Sequence, residues 1–110
     1  MLKLKESVAP ADVIVLPLFE KDGMGTAARE LNSQINLIKG TKCLIDSSKS
    51  IGRRYARADE IGVPWAITVD HQTLEDNTVT IRRRDDQKQI RAEINELLIL
   101  INSNMVSTLF

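Results

Sequence analysis

Two different periods of apolar and polar residues run along this chain, and the switches between them mark its elements. Asp12-Val-Ile-Val-Leu-Pro-Leu18 is an unbroken β-branched and leucine run. It predicts a strand buried on both faces, with Pro17 at its end. After Gly23 and Gly25, apolar residues recur every three or four positions at Ala28, Leu31, Ile35 and Ile38, which predicts a helix that Gly40 stops. Residues 41–46 and 65–70 predict two more strands. Between them Ile51, Tyr55 and Ala58 share one helical face, which turns Arg53 and Arg57 to the other side, and Gly62 with Pro64 closes the helix. Two successive strand–helix–strand units imply a largely parallel sheet.

From Asp76-Asn77 the pattern changes. Thr78-Val-Thr-Ile-Arg-Arg-Arg84 alternates, and the short connection from the preceding strand predicts an antiparallel edge hairpin. Asp85 and Asp86 then open a predicted helix whose apolar stripe is Ile90, Ile94, Leu97, Leu98 and Ile101. Leu97 to Ile101 is apolar all round, more than one side of a sheet requires, and is a candidate partner surface. The expectation is a single α/β domain with a mixed four- to five-stranded sheet, parallel at its core with an antiparallel edge hairpin, flanked by three helices. Residues 1–11 are a lead-in segment, 12–101 the core and 102–110 a tail.

Composition narrows the function classes. The 110 residues carry 43% hydrophobic and 27% charged side chains, values that favour a soluble globular domain over disorder. No apolar run approaches the roughly 20 residues that span a bilayer, and the N-terminus has no signal-peptide layout, so a cytoplasmic protein without a membrane partner is expected. Cys43 is the lone cysteine and lies in an apolar run, which predicts a reduced, buried thiol. One His and one Cys cannot assemble a zinc site of the usual kind. Neither a nucleophile elbow nor a glycine-rich phosphate loop is present, so no catalytic site and no cofactor are expected in this chain, and His71 reads as a polar loop residue.

The net charge is zero, which argues against a generic polyanion binder, yet the cations are gathered locally. Lys49, Arg53, Arg54 and Arg57 have no carboxylate among them and start within the serine loop of Ser47, Ser48 and Ser50, whose hydroxyls can cap a helix and contact phosphate. Alternation sends Arg82 and Arg84 to one side of their strand and Arg83 to the other. Arginines at a sheet edge beside a basic helix start suit single-stranded RNA, where guanidinium planes stack on bases and donate to their edges. The same cations have a structural alternative, with Arg57 paired to Glu60 and Arg53 or Arg54 paired to Asp46 or Asp70.

Ser50-Ile-Gly-Arg-Arg-Tyr-Ala-Arg-Ala-Asp-Glu-Ile-Gly-Val-Pro64 resembles the C-terminal anticodon-binding domain of glycyl-tRNA synthetase, a class II enzyme. The resemblance runs from Val8-Ala-Pro10 and Val15-Leu-Pro-Leu18 through Ile67-Thr-Val-Asp70 and Thr73-Leu-Glu-Asp-Asn-Thr-Val-Thr-Ile-Arg82 to Gln89-Ile-Arg-Ala-Glu-Ile-Asn-Glu-Leu97. It implies recognition of a glycine-specific tRNA anticodon loop. The resemblance sets the serine loop of Ser47, Ser48, Lys49 and Ser50, with Arg53, Arg54, Arg57, Glu60 and Arg82, at positions matching the family's motif, and the edge position adds Arg84. Lys49, His71-Gln72 and Arg83 depart from the family's usual residues. ATP and magnesium are implied only for a catalytic domain outside this chain, which would be its partner in the parent enzyme. The alternative is a freestanding accessory or dimerisation module, a homodimer through Leu97–Ile101.

Overall fold

The computed structural model describes residues 11–19, 21–46 and 51–110, apart from the side chains of Ile51 and Tyr55. Most of the expected lead-in segment and the serine loop Ser47–Ser50 lie outside the described residues. The chain runs β1 (Val13–Pro17), α1 (Met24–Asn36), β2 (Cys43–Ile45), α2 (Ile51–Ile61), β3 (Trp65–Val69), α3 (His71–Asp76), β4 (Thr78–Arg83), β5 (Gln89–Glu93) and α4 (Ile94–Asn102), with a final 3-10 turn at Val106–Leu109. One sheet takes the strands in the order β2-β1-β3-β4-β5. β1 is parallel to β2 and β3, and β4 is antiparallel to β3 and β5.

β1 is buried along its whole length because helices cover both of its faces. On one face Val13, Val15, Ile67, Val69, Val79 and Ile81 pack with Met24, Ala28, Leu31 and Ile35 of α1 and with Leu97 and Ile101 of α4. On the other, Ile14, Leu16 and Ala66 pack with Ala58 of α2 and with Val63. Cys43 joins the first layer, and burial pushes its thiol pKa up to about 12. The end of α2 is a Schellman motif: Gly62, at φ 85°, donates to the Asp59 carbonyl, and Val63 N–H donates to the Ala58 carbonyl at 3.1 Å. That left-handed turn brings the chain directly into β3.

The mixed sheet agrees with the expectation, with five strands, but there are four α-helices among the described residues rather than three. The connection from β3 to β4 is α3, not a short turn. Asp70 starts it by accepting from Thr73 N–H while Asp70 N–H donates to the Thr73 hydroxyl, a reciprocal capping box. Gln89–Glu93 is strand rather than the first turns of the last helix. Ile90 and Ala92 point with Ile81 and Val79, their cross-strand partners, into the first layer. The spacing Ile90, Ile94, Leu97, Ile101 fits a helical stripe, but an i, i+4 step also keeps two residues on one side of a strand. The edge hairpin is therefore β4–β5, and β4 is an interior strand. Its turn is tied by Asp86, which accepts from Arg83 and from Lys88 N–H, with Gln87 at φ 60°.

The expected tail packs on the domain. Val106 is buried, and the Phe110 ring lies 5.5 Å from Trp65 with the Arg83 guanidinium 4.7 Å from its centre. No helix among the described residues is long and apolar enough to cross a membrane.

Candidate nucleic-acid interface

On the second face, α2 covers β1 and β3, while β4 and β5 carry polar side chains. Val79 and Ile81 face the core, so alternation puts Thr78, Thr80 and Arg82 on the opposite side, joined in register by Glu93, Arg91 and Gln89. Arg91 lies across this surface. Its Nη1 and Nη2 each donate to the Asp70 carboxylate at 2.7 Å, and Nε donates to the Thr78 hydroxyl at 2.8 Å. The hydrogen bond from Arg91, aided by Thr73, lowers the Asp70 pKa to about 2 although partial burial opposes it. The result is a polar platform beside a basic helix.

The helix is clamped to that platform through Asp59. Arg82 Nη1 and Nη2 donate to its two carboxylate oxygens at 2.9 and 3.0 Å, and Arg84 Nε donates to its backbone carbonyl at 2.9 Å. Arg82 and Arg84 thus converge on one residue, as alternation predicts. Arg83 projects to the other side, onto Asp86 and Phe110.

At the carboxyl ends of the parallel strands, Arg54 is 4% exposed and ties two loops together. It donates to the carbonyls of Pro17 and Leu18 at the end of β1 and to that of Asp46 after β2. The Asp46 carboxylate meets Arg57 Nη1 at 3.7 Å, where the structural alternative read from the sequence paired Arg57 with Glu60. Two rings also emerge here, with Phe19 and His71 centred 6.4 Å apart and Lys21 Nζ 5.8 Å from the Phe19 centre.

The candidate residues read from the sequence divide by environment. Arg53, Arg57, Glu60 and Arg84 are exposed, and all but Arg84 stand on α2. Arg54 and Arg82 are buried and hold internal partners. Ser47, Ser48, Lys49 and Ser50 lie outside the described residues. The sequence reading did not single out Arg91, Thr78 or Thr80. Their signal was the alternation in Gln89-Ile-Arg-Ala-Glu93, which predicts a strand carrying Arg91 outward. Phe19 and Lys21 lacked any periodic signal, because they belong to a loop.

Residues 12–104 match the family described as anticodon binding domain. The glycine–tRNA ligase of Methanothermobacter thermautotrophicus is 53% identical over 96 residues, which are 87% of this chain and 17% of that protein. The glycine–tRNA ligase of Methanothrix thermoacetophila is 44% identical over 99% of this chain and 19% of its own length. The chain therefore spans about a fifth of the curated relatives it matches. Among solved structures, the RNA binding domain of threonyl-tRNA synthetase from Cryptosporidium parvum Iowa II superposes with a TM-score of 0.76 at 21% identity, covering 86% of this chain and 23% of that one. Prolyl-tRNA synthetase from Cryptosporidium parvum, complexed with halofuginone and AMPPNP, gives 0.72 at 20% identity over 90% of this chain and 23% of that one.

Proposed function

The chain belongs to the anticodon binding domain family, and on that premise we propose that it binds the anticodon loop of a glycine-specific tRNA as one domain of a class II glycine–tRNA ligase. One observation carries the reading beyond family membership. Arg53 and Arg57 are exposed on a helix held against an open, hydrogen-bonding sheet surface by the Asp59 clamp. Exposed guanidinium groups hold loop phosphates and fix register, while side chains on a sheet surface donate to and accept from the edges of splayed bases. Arg53, Arg57 and Arg84, with the serine loop Ser47–Ser50 and Lys49, are the phosphate contacts in this reading. Glu60 is a base contact, joined on the sheet surface by the Thr80 hydroxyl and by the flat guanidinium face of Arg91, whose five N–H groups are all bonded within the domain, to Asp70, Thr78 and Thr80. Arg54 and Arg82 act from beneath, positioning the surfaces that touch RNA. Aminoacyl transfer, with its ATP and magnesium, is assigned to a catalytic domain outside these residues, and the setting is the cytoplasm, where the tRNA is charged.

The test is binding of the 110-residue chain to a glycine-tRNA anticodon stem-loop and to the same stem-loop with its anticodon scrambled. Tighter binding to the cognate loop is expected, with a log–log salt slope near −0.7 per phosphate neutralised. Equal affinity for both loops would remove the specificity claim.

A second reading, a dimerisation or accessory module, draws support from α4. Ile99 is 65% exposed and Met105, just past the helix, 49%, although Leu97 and Ile101 on α4 are buried. A stable dimer in sedimentation, together with no RNA binding, would favour this module over the first reading.

A further inference from the structure

We infer that the cavity between α1, α3 and the start of α4 binds a small aliphatic amine or guanidine, whose hydrocarbon stem lies on an apolar floor and whose charge meets Glu30. α1 and α4 pack on the face of the sheet opposite α2. The inference is therefore independent of the RNA reading and stands or falls by itself.

The first wall is a stripe of α1. Ala27, Glu30, Leu31 and Gln34 recur at i, i+3, i+4 and i+7 and so share one side of the helix. Leu31 is buried at the base of this stripe, and Glu30 and Gln34 are exposed. The second wall comes from Leu74 of α3, Asn77 at its end, and Ile94 and Asn95 of α4. Two fastenings hold that wall. The Asp70–Thr73 capping box fixes the start of α3. At its end Asn77 takes left-handed backbone, φ 61°, and its carbonyl accepts from Ile94 N–H at 2.9 Å. The space between the walls is about 300 Å³, at the small end of the range for sites that hold one small molecule.

The lining selects the class of ligand. Ala27, Leu31, Leu74 and Ile94 supply apolar contact, with Leu74 left 45% exposed. Around them, the side chains of Glu30, Gln34, Asn77 and Asn95 hold no hydrogen-bond partner among the described residues. A ligand can therefore bond to them without breaking an internal hydrogen bond. Glu30 is the one charged residue of this lining. The sequence around it has the same sign, because residues 71–81 and 92–110 hold Glu75, Asp76, Glu93 and Glu96 and neither lysine nor arginine. Arg29 reaches the Thr26 hydroxyl at 3.4 Å, and neither residue lines the cavity. An acidic rim over an apolar floor repels phosphates and carboxylates and favours a cation that carries a hydrocarbon stem.

The experiment titrates the isotope-labelled 110-residue chain with n-butylammonium and n-butylguanidinium, and with n-butanol and butyrate as neutral and anionic counterparts, following amide NMR shifts. Saturable shifts at Gln34, Asn77 and Asn95 are expected with the cations, weaker ones with n-butanol and none with butyrate. Glu30→Gln should weaken the cations about twofold to fivefold, as for an exposed charge pair. Gln34→Trp, which fills the mouth from an exposed position, should abolish the shifts at Asn77 and Asn95. Glu96→Gln, outside the lining, should leave affinity unchanged. Thermal melts matching wild type show that the variants are folded, and the four probes on wild type decide the matter if one does not fold. Equal losses from Glu30→Gln and Glu96→Gln would show diffuse attraction to an acidic surface and overturn the site. Absence of saturable shifts with either cation, or equal affinity for n-butanol, overturns it as well. A capped lysine tripeptide binding tenfold tighter than n-butylammonium would make the occupant a protein side chain and overturn the small-molecule assignment.

Discussion

Arg82 places both terminal nitrogens on the Asp59 carboxylate and so ties the last turn of α2 to β4, across 23 residues of chain. The two side chains are 10% and 26% exposed, so neither charge could lose its partner and be fully rehydrated. Arg82→Ala should destabilise the domain by about 2–3 kcal/mol, below the ~3–5 kcal/mol of a fully buried pair because Asp59 retains some water. Urea unfolding measures this, and Asp59→Ala should cost a similar amount. The double variant should cost clearly less than the sum, since each single change strands the other charge. Additive costs would show that the clamp contributes nothing as a pair.

That clamp marks where the sequence stopped being legible. β1, α1, α2 and the parallel arrangement followed from periodicity, because Val13–Leu16 and Ala28, Leu31, Ile35 obey one period each. The β5 strand did not, because Ile90 satisfies both the strand and the helix templates. Only its pairing with Ile81 decides between them, and pairing is a long-range fact. The basic stretch was visible as a stretch, but the buried environment of Arg54 depends on carbonyls at Pro17 and Leu18, more than thirty residues away. Residue type alone does not separate an arginine that feeds backbone carbonyls from one that faces solvent. The Asp70–Arg91 pair was hidden for the same reason, while the capping box Asp70-His-Gln-Thr73 was a local signal that could have revealed α3.

The Asp70–Arg91 pair sets an acid limit. The Asp70 carboxyl titrates at about 2 in the folded domain against an ordinary 3.8. The unfolded chain therefore takes up this proton more readily than the folded one. The contribution is complete above about pH 5 and is lost as pH falls from about 4 to 2. Discounted for the partial exposure of both side chains, it amounts to about 1 kcal/mol. Asp86 is held low by Arg83 and adds loss in the same direction. Urea midpoints between pH 6 and pH 2 should fall less for Asp70→Asn than for wild type. Identical slopes would mean that the pair does not persist in solution.

The last helix separates core from surface within a single turn. Leu97 is fully buried and Ile99 is 65% exposed. Leu97→Ala should cost about 2–5 kcal/mol through lost burial and the cavity left behind. Ile99→Ser should remain within about 0.5 kcal/mol of wild type in a monomer. Sedimentation supplies the second readout. If Ile99→Ser dissociates an assembly that wild type forms, its surface is an interface, and if wild type sediments as a monomer the module reading loses its support.

Arg54 and Arg57 stand one turn apart on α2 and should fail in opposite ways. Arg54 is buried on three backbone carbonyls, so Arg54→Ala leaves acceptors without a donor and should destabilise by about 3 kcal/mol or more. Its effect on RNA should follow the fraction folded, and raising that fraction with a stabilising osmolyte should recover most of the binding. Arg57 has a side chain 60% exposed and a long contact with Asp46 at 3.7 Å. Arg57→Ala should therefore leave the urea midpoint nearly unchanged, weaken cognate and scrambled stem-loops alike, and lower the magnitude of the log–log salt slope by about 0.7. If Arg57→Ala instead changes the ratio between the two loops, Arg57 reads a base and the phosphate role passes to Arg53. If it changes neither affinity nor slope, RNA does not reach this turn of α2, and the contacts lie on the sheet surface around Arg91 alone.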